Sequence, residues 1–212
     1  MVSNPDTTFP NESETQVSQS RLGREDYLRE GLAILEQDGP DHLRIDTLCR
    51  RLKATKGSFY HHFSNRNGYI SAMLDFWEKA TTQHLIEACE TETQPSHRFE
   101  RLLTTSLALP TGPEPALRAW AQNHPDVALA VARTDQQRLE YITGLCRPFS
   151  RDAEHAALLA RIGYSVFVGA KHLAPPLDND LLMRMDKELT RLFVRPLDSD
   201  SQQTEADESR NE

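Results

Sequence analysis

Between residues 24 and 90 the apolar positions recur at helical spacing in four successive segments separated by short breaks. Tyr27, Leu28, Gly31, Leu32, Ile34 and Leu35 stripe a first helix over Arg24 to Gln37, which Asp38-Gly39-Pro40 stops. Ile45, Leu48, Cys49 and Leu52 predict a second helix of about two turns. Ala54 and Thr55 break it, and Thr55 has the side chain to cap a third helix, Lys56 to Phe63. Ser64 stands where it can cap a longer fourth helix that runs through Trp77 and Leu85 to about Glu90. Farther on, Pro95 and Pro110 to Pro115 set off helices at Phe99 to Leu109 and Ala116 to Gln122. Pro125, tolerated in a first helical turn, opens a long helix to Phe149. Ala153 to His172 and Asn179 to Val194 complete the set on either side of Pro175-Pro176. No alternating β-branched segment is long enough to anchor a sheet. The pattern predicts an all-α chain of roughly nine helices. A three-helix head at 21–66 precedes a helical body at 67–196, and the polar stretches 1–20 and 197–212 are expected to be disordered.

The head has the outline of a helix-turn-helix, an arrangement that lays one helix in a DNA major groove. Ile45, Leu48, Leu52, Phe59 and Phe63 are expected to pack on the first helix. Lys56, Ser58, Tyr60, His61 and His62 are then left to the free face, although periodicity alone leaves the facing of the last three open. Gly57 removes a side chain where a duplex would approach. Thr47, Lys56, Tyr60, His62 and Arg66 carry donors suited to phosphate oxygens, and Lys56, Ser58 and His61 have the reach for base edges. A single Tyr or His in a short helix more often packs than binds. The clustering of several after a turn reverses that preference.

Charge sharpens the picture. The formal net charge of -8 argues against indiscriminate coating of nucleic acid. From Arg44 through Arg66, however, there are six Lys or Arg against the single Asp46. A local basic patch on an acidic molecule meets phosphate there and avoids it elsewhere. Hydrophobic residues make up 38% of the chain, enough for a packed core. Cys49, Cys89 and Cys146 form no CxxC pair and read as core thiols in a reducing compartment. Adjacent helical residues such as His61 and His62 diverge by about 100°, so no metal site is expected, and no cofactor is implied. The polar first twenty residues do not resemble a signal peptide, and no apolar run is long enough for a membrane span. A cytoplasmic protein without a membrane partner is the expectation.

The segment from about 24 to 79 resembles the DNA-binding head of the TetR/AcrR family of transcriptional regulators. Thr55-Lys56-Gly57-Ser58-Phe59-Tyr60-His61-His62-Phe63 carries most of that resemblance. The resemblance implies a homodimer, two heads on two DNA half-sites, and a body whose small-molecule ligand changes the spacing of the heads. Most members repress and let go on binding ligand, and a minority activate. By position, Tyr60 and Lys56 resemble the family's strongest DNA contacts, with Thr47, Gly57, Ser58, His61, His62 and Arg66 in supporting places. Two positions depart from the pattern. Arg44 stands where a capping Thr is frequent, and it retains the charge to bind phosphate. Lys53 stands where the turn usually has Gly, at a cost of about 1 kcal/mol if that residue keeps a positive φ.

Residues 114–146 resemble a body segment found in one broad branch of these regulators. Trp120, His124, Arg133, Arg138 and Tyr141 are candidates to line a ligand cavity, with Phe167 from a later helix. Core packing is the plainer role for Trp120, and pairing across helices or solvation the plainer one for Arg133 and Arg138. The last two long helices resemble the family's dimer-forming pair. Gly163, Ser165, Gly169 and Ala170 make a small-residue stripe, and Tyr164, Phe167, Val168, Leu182, Met185, Leu189 and Phe193 supply apolar area. A contact within one chain explains the stripe nearly as well.

The leading expectation is therefore a ligand-responsive, sequence-specific regulator, most often a repressor. Its partners would be a double-stranded operator, a second copy of the chain and a small effector. The alternative is a helical homodimer that acts through protein contacts, its DNA binding weakened at Arg44 and Lys53. An all-helical enzyme built on His124 or His172 lacks a nucleophile motif.

Overall fold

The computed structural model of the chain describes residues 22–108, 112–173 and 177–193; for 108, 186 and 189–193 it describes the backbone alone. The expected polar tails and the Pro175-Pro176 break lie outside the described residues. The head contains α1 (Arg24–Asp38), a 3-10 turn (Pro40–His42), α2 (Ile45–Arg51) and α3 (Lys56–His62). A rod follows, made of α4 (Arg66–Glu78), a π-helical turn (Lys79–Gln83) and α5 (His84–Glu90). The body adds α6 (Pro95–Ala108), α7 (Glu114–Ala121), α8 (Pro125–Cys146), a 3-10 turn (Arg147–Phe149), α9 (Ala153–His172) and α10 (Asn179–Phe193). Among the described residues the fold is all-α. With α4 and α5 joined through the π turn, it has the nine rods that the periodicity predicts.

The helix ends follow from local chemistry. Gly39, at φ +81°, stops α1 while its N–H donates to the Leu35 carbonyl. The Thr55 hydroxyl accepts from the Ser58 N–H at 3.1 Å and caps α3. The cap of α4 is Asn65 rather than Ser64: its side-chain oxygen accepts from the Gly68 N–H at 2.8 Å, whereas Ser64 lies one residue too early. At the start of α2 no side chain caps, and the Arg44 Nε instead donates to the Asp41 carbonyl at 2.9 Å. Lys53 occupies the left-handed region at φ 52°, the conformation for which a glycine would be chosen.

Packing begins with a missing side chain. A Cβ at Gly31 would stand 1.8 Å from the Tyr69 hydroxyl and 2.8 Å from the Met73 sulfur, so α1 and α4 touch nearly backbone to side chain. Through that gap the Tyr69 hydroxyl donates to the Tyr27 carbonyl at 2.8 Å. Tyr27, Phe59, Phe63 and Tyr69 stack edge to face around it, with Phe59 and Tyr27 fully buried. Leu117, Val127, Ala130 and Val131 of α7 and α8 belong to the same cluster, so head and body share one core. Arg133 of α8 pairs with Asp75 and with the buried Glu78 on α4, across helices. Cys49, Cys89 and Cys146 are free and buried.

Three substitutions check this packing and the turn before α3. Gly31→Ala is expected to lower the urea-unfolding free energy by roughly 2 kcal/mol, even after Ala's gain in helix propensity. Gly144→Ala in α8, where an added Cβ meets nothing within 4 Å, should instead raise it. Lys53→Gly should stabilise the chain by up to about 1 kcal/mol by relieving the positive φ, seen as a higher melting temperature.

Candidate nucleic-acid interface and ligand cavity

α3 is a short helix held from behind by aromatic rings and open in front. Phe59 and Phe63 point into the core, and this turns Lys56, Gly57, Tyr60 and His61 outward, with Tyr60 53% exposed. The space before Gly57 is clear: its only neighbour within 4 Å of a built Cβ is its own capping Thr55 hydroxyl. Arg44 and Arg66 are exposed and Thr47 is half-buried. Lys56 pairs with Asp46 at 2.7 Å; both side chains are largely exposed, so water and salt weaken the pair. The hydrogen bond to Asp46 raises the Lys56 pKa and keeps the ammonium charged.

Two of the expected contacts turn partly away. Ser58 is half-buried, and its Oγ accepts from the Tyr27 hydroxyl at 2.8 Å. His62 is half-buried against the Tyr27 ring at 5.6 Å. One helical turn separates these residues, and both fall beside α1, so their facing differs from the free face expected of them. Ser58 keeps its own hydroxyl hydrogen to donate. Arg51, one of the six basic residues, is drawn to α1, where it binds Glu30, Gln37 and Asp38.

The body encloses a cavity of about 270 Å³, close to the lower end of the range typical of small-molecule sites. Leu85, Ile86, Phe99, Leu102, Leu103 and Phe167 make much of its wall apolar. At one corner stands a charged network. Arg138 donates to Glu114 at 2.9 and 3.0 Å, to the Thr81 and Thr82 hydroxyls at 3.1 and 2.9 Å, and to the Tyr164 hydroxyl at 3.2 Å. Arg118 bridges Glu114 at 2.7 Å and Asp135 at 2.6 Å, and the Tyr164 hydroxyl donates to Asp135 at 2.6 Å. The π turn carries both threonines, and its wider winding brings the two hydroxyls onto one guanidinium. Burial would raise the Asp135 carboxyl, but Arg118 and Tyr164 outweigh it and hold the pKa below the usual carboxylate range. Burial pushes the Tyr164 hydroxyl up to about 12.

Of the expected cavity residues, Tyr141 and Phe167 line the wall, and Arg138 forms its polar corner. Trp120 and His124 do not. They sit at the joint of α7 and α8, rings edge to face at 4.9 Å, where Trp120 packs on the shared core. Trp77, Glu114, Tyr164 and Lys171 were not anticipated in the wall. Glu114 and Arg118, four apart on α7, and Asp135 and Arg138, three apart on α8, are visible as pairs in the sequence. Their meeting is not.

The expected dimer residues also divide. Gly163 and Phe167 line the cavity, and Tyr164, Ala170 and Leu182 are buried within the single chain. Met185 is half-buried, while the side chains of Leu189 and Phe193 lie outside the described residues. The small-residue stripe is thus split by helical phase. Gly163 and Ala170 look inward, whereas Leu158, Arg161, Ser165 and Gly169 make an exposed line along α9. Among the described residues no three His, Cys, Asp or Glu side chains are grouped to hold a metal. Nor is any helix there long and apolar enough to cross a membrane.

No family model matches the chain, and no curated protein matches its sequence. Solved structures do match its shape. A TetR transcriptional regulator from Legionella pneumophila superposes with a TM-score of 0.70 at 14% identity, over 82% of this chain and 99% of that one. The reduced form of NemR from E. coli gives 0.69 at 20% identity, over 82% and 98%. A TetR-family transcriptional regulator from Streptomyces coelicolor gives 0.67 at 18%, over 81% and 96%. Likeness of this kind, at low identity and over nearly the whole of each relative, establishes architecture: this chain has the fold of the TetR-family regulators.

Proposed function

We propose that this protein is a TetR/AcrR-type transcriptional regulator: a cytoplasmic, non-catalytic homodimer that binds an operator and is released from it by a small molecule. The observation that carries the reading is α3. A Thr55-capped helix presents Lys56, Gly57, Tyr60 and His61 outward from a rigid aromatic base, on a fold shared with known regulators. In this reading Lys56, Tyr60, Arg44, Thr47, His62 and Arg66 hold phosphates and set the register of α3. Lys56, Ser58 and His61 reach base edges. Phosphate exchanges for Asp46 at Lys56 with little loss, because that ion pair is already solvated.

The outward line of α9 supports a dimer built there. Ser165 and Gly169 allow close approach, while Leu158 and, from α10, Leu181 supply exposed apolar surface. α7, which carries part of the cavity wall, packs on α1 of the head, and α8 packs on the connecting rod α4. A ligand that binds the two arrangements of the body unequally would shift the spacing of the two heads.

DNA binding is tested by fluorescence anisotropy with labelled fragments tiled across the protein's own upstream region, at two salt concentrations. Selective, salt-sensitive binding is expected, weakened by about a hundredfold or more in the Lys56→Ala/Tyr60→Ala double variant. If genome-wide fragment selection also yields no selective site, the alternative takes its place: a helical homodimer acting through protein contacts. For assembly, Gly169→Arg should convert a dimer into a monomer in sedimentation equilibrium. A dimer that persists unchanged would move the interface elsewhere.

A further inference from the structure

The charged groups that line the body cavity are spent on contacts within the chain. Glu114 accepts from Arg118 and Arg138, and Arg138 also holds both threonines of the π turn. Lys171 is engaged as well, its ammonium over the Phe167 ring at 4.9 Å. A charged ligand would have to take a partner from one of these groups, and a buried charge stripped of its partner is costly. The hydroxyls of the wall are committed too. Thr81 donates to the Trp77 carbonyl at 2.8 Å, Ser106 to the Leu103 carbonyl at 3.1 Å and Tyr164 to Asp135 at 2.6 Å. The Tyr141 hydroxyl lies close to Glu90 and the Cys89 thiol.

Trp77 differs from all of these. It lines the cavity and is 1% exposed, yet its indole Nε1–H has no hydrogen-bond partner among the described residues. Buried polar groups are nearly always paired, and an indole nitrogen can only donate, so what it lacks is an acceptor. A carbonyl oxygen supplies an acceptor and nothing else, whereas an alcohol brings a hydrogen that needs a partner of its own. The Arg138 guanidinium, 5.7 Å from the centre of the Trp77 ring, disfavours a cation at the same place. Much of the remaining wall is apolar, with Leu85, Ile86, Phe99, Leu102 and Leu103 from α5 and α6.

We infer that the cavity takes an uncharged, largely apolar molecule with one carbonyl oxygen, a ketone or an ester, and that this oxygen accepts the hydrogen bond of the Trp77 indole N–H. The apolar part of the ligand lies along α5 and α6. A cavity of about 270 Å³ suits a compact ligand better than a long lipid. Trp77 also belongs to the core that holds Tyr27 and Phe59, so a ligand bonded to it bears on the packing beneath α3.

The inference rests on the reading of the body as an effector site, and isothermal titration calorimetry of the full chain tests it with no DNA present. The probes are butyrophenone, butylbenzene, 4-phenylbutyrate and 4-phenylbutylamine, which share one phenylbutane skeleton and differ in the polar group. Saturable binding of butyrophenone is expected, about tenfold tighter than butylbenzene and at least about tenfold tighter than either charged probe. Trp77→Phe keeps a ring but removes the N–H, and should bring butyrophenone down to the affinity of butylbenzene. Retained butylbenzene binding by that variant shows that its cavity is still formed. A second measurement needs no substitution in the wall. The chain has two tryptophans, Trp77 and Trp120, whose indole N–H signals in a proton–nitrogen correlation spectrum are told apart with Trp120→Phe. Butyrophenone should move the Trp77 indole proton downfield and leave that of Trp120 in place, and butylbenzene should produce no such downfield shift. A charged probe or butylbenzene bound as tightly as butyrophenone, a Trp77 indole signal that stays in place, or no saturable binding of butyrophenone overturns the assignment and leaves DNA binding by α3 standing. Butyrophenone bound as expected by a chain that selects no operator does the reverse: the ligand assignment stands and the regulator reading falls.

Discussion

Two tyrosines tie the DNA-facing helix to the rest of the molecule. Tyr69 on α4 donates to the Tyr27 carbonyl on α1, and Tyr27 in turn donates to Ser58 on α3. This chain of bonds exists because Gly31 has no Cβ: any other residue would occupy the space of the Tyr69 hydroxyl. With three helices joined through buried or half-buried hydroxyls, α3 cannot rotate or slide without leaving a polar group unpaired. Its outward residues are thereby held at fixed positions, as a helix that reads a groove requires.

The same rod that carries Tyr69 continues into the cavity. Trp77 belongs both to the shared core and to the cavity wall, and one turn later Thr81 and Thr82 bind Arg138. A second route runs through α7, where Leu117 enters the core while Glu114 and Arg118 enter the charged network. Arg133 adds a clamp between α8 and the end of α4. A disturbance at the charged corner therefore acts on packed elements rather than on a loop, and close-packed elements move as units.

The head was the most legible part of the sequence because its determinants are local. A cap, a glycine and a cluster of rings within Thr55–Phe63 specify α3 with little help from the remainder, and Lys53 marked the positive φ of the turn. Errors arose where neighbours one step apart compete or where facing decides. Asn65 took the cap from Ser64 by a single residue, and Ser58 and His62 were claimed by Tyr27, distant in sequence. The cavity was legible only in fragments. Its polar corner draws Thr81, Glu114, Arg138 and Tyr164 from four separate elements, and no spacing along the chain announces that they meet. Trp120 and His124 had the right chemistry for a pocket, but Trp120 packs on the core and His124 stands edge to face against its ring. On α9 composition identified small residues correctly, yet helical phase decided which of them look inward.

The central claim is that one core serves both the DNA-facing helix and the ligand cavity. Native-state hydrogen exchange, followed helix by helix across a urea series, tests it most directly. A shared core predicts that the slowest amides of α1, α4 and the first half of α8 converge on one opening with a single free energy and a single urea dependence. If α1 and α4 instead exchange through a cheaper opening while α8 stays protected, head and body are separate units. The structural basis for their coupling would then be lost.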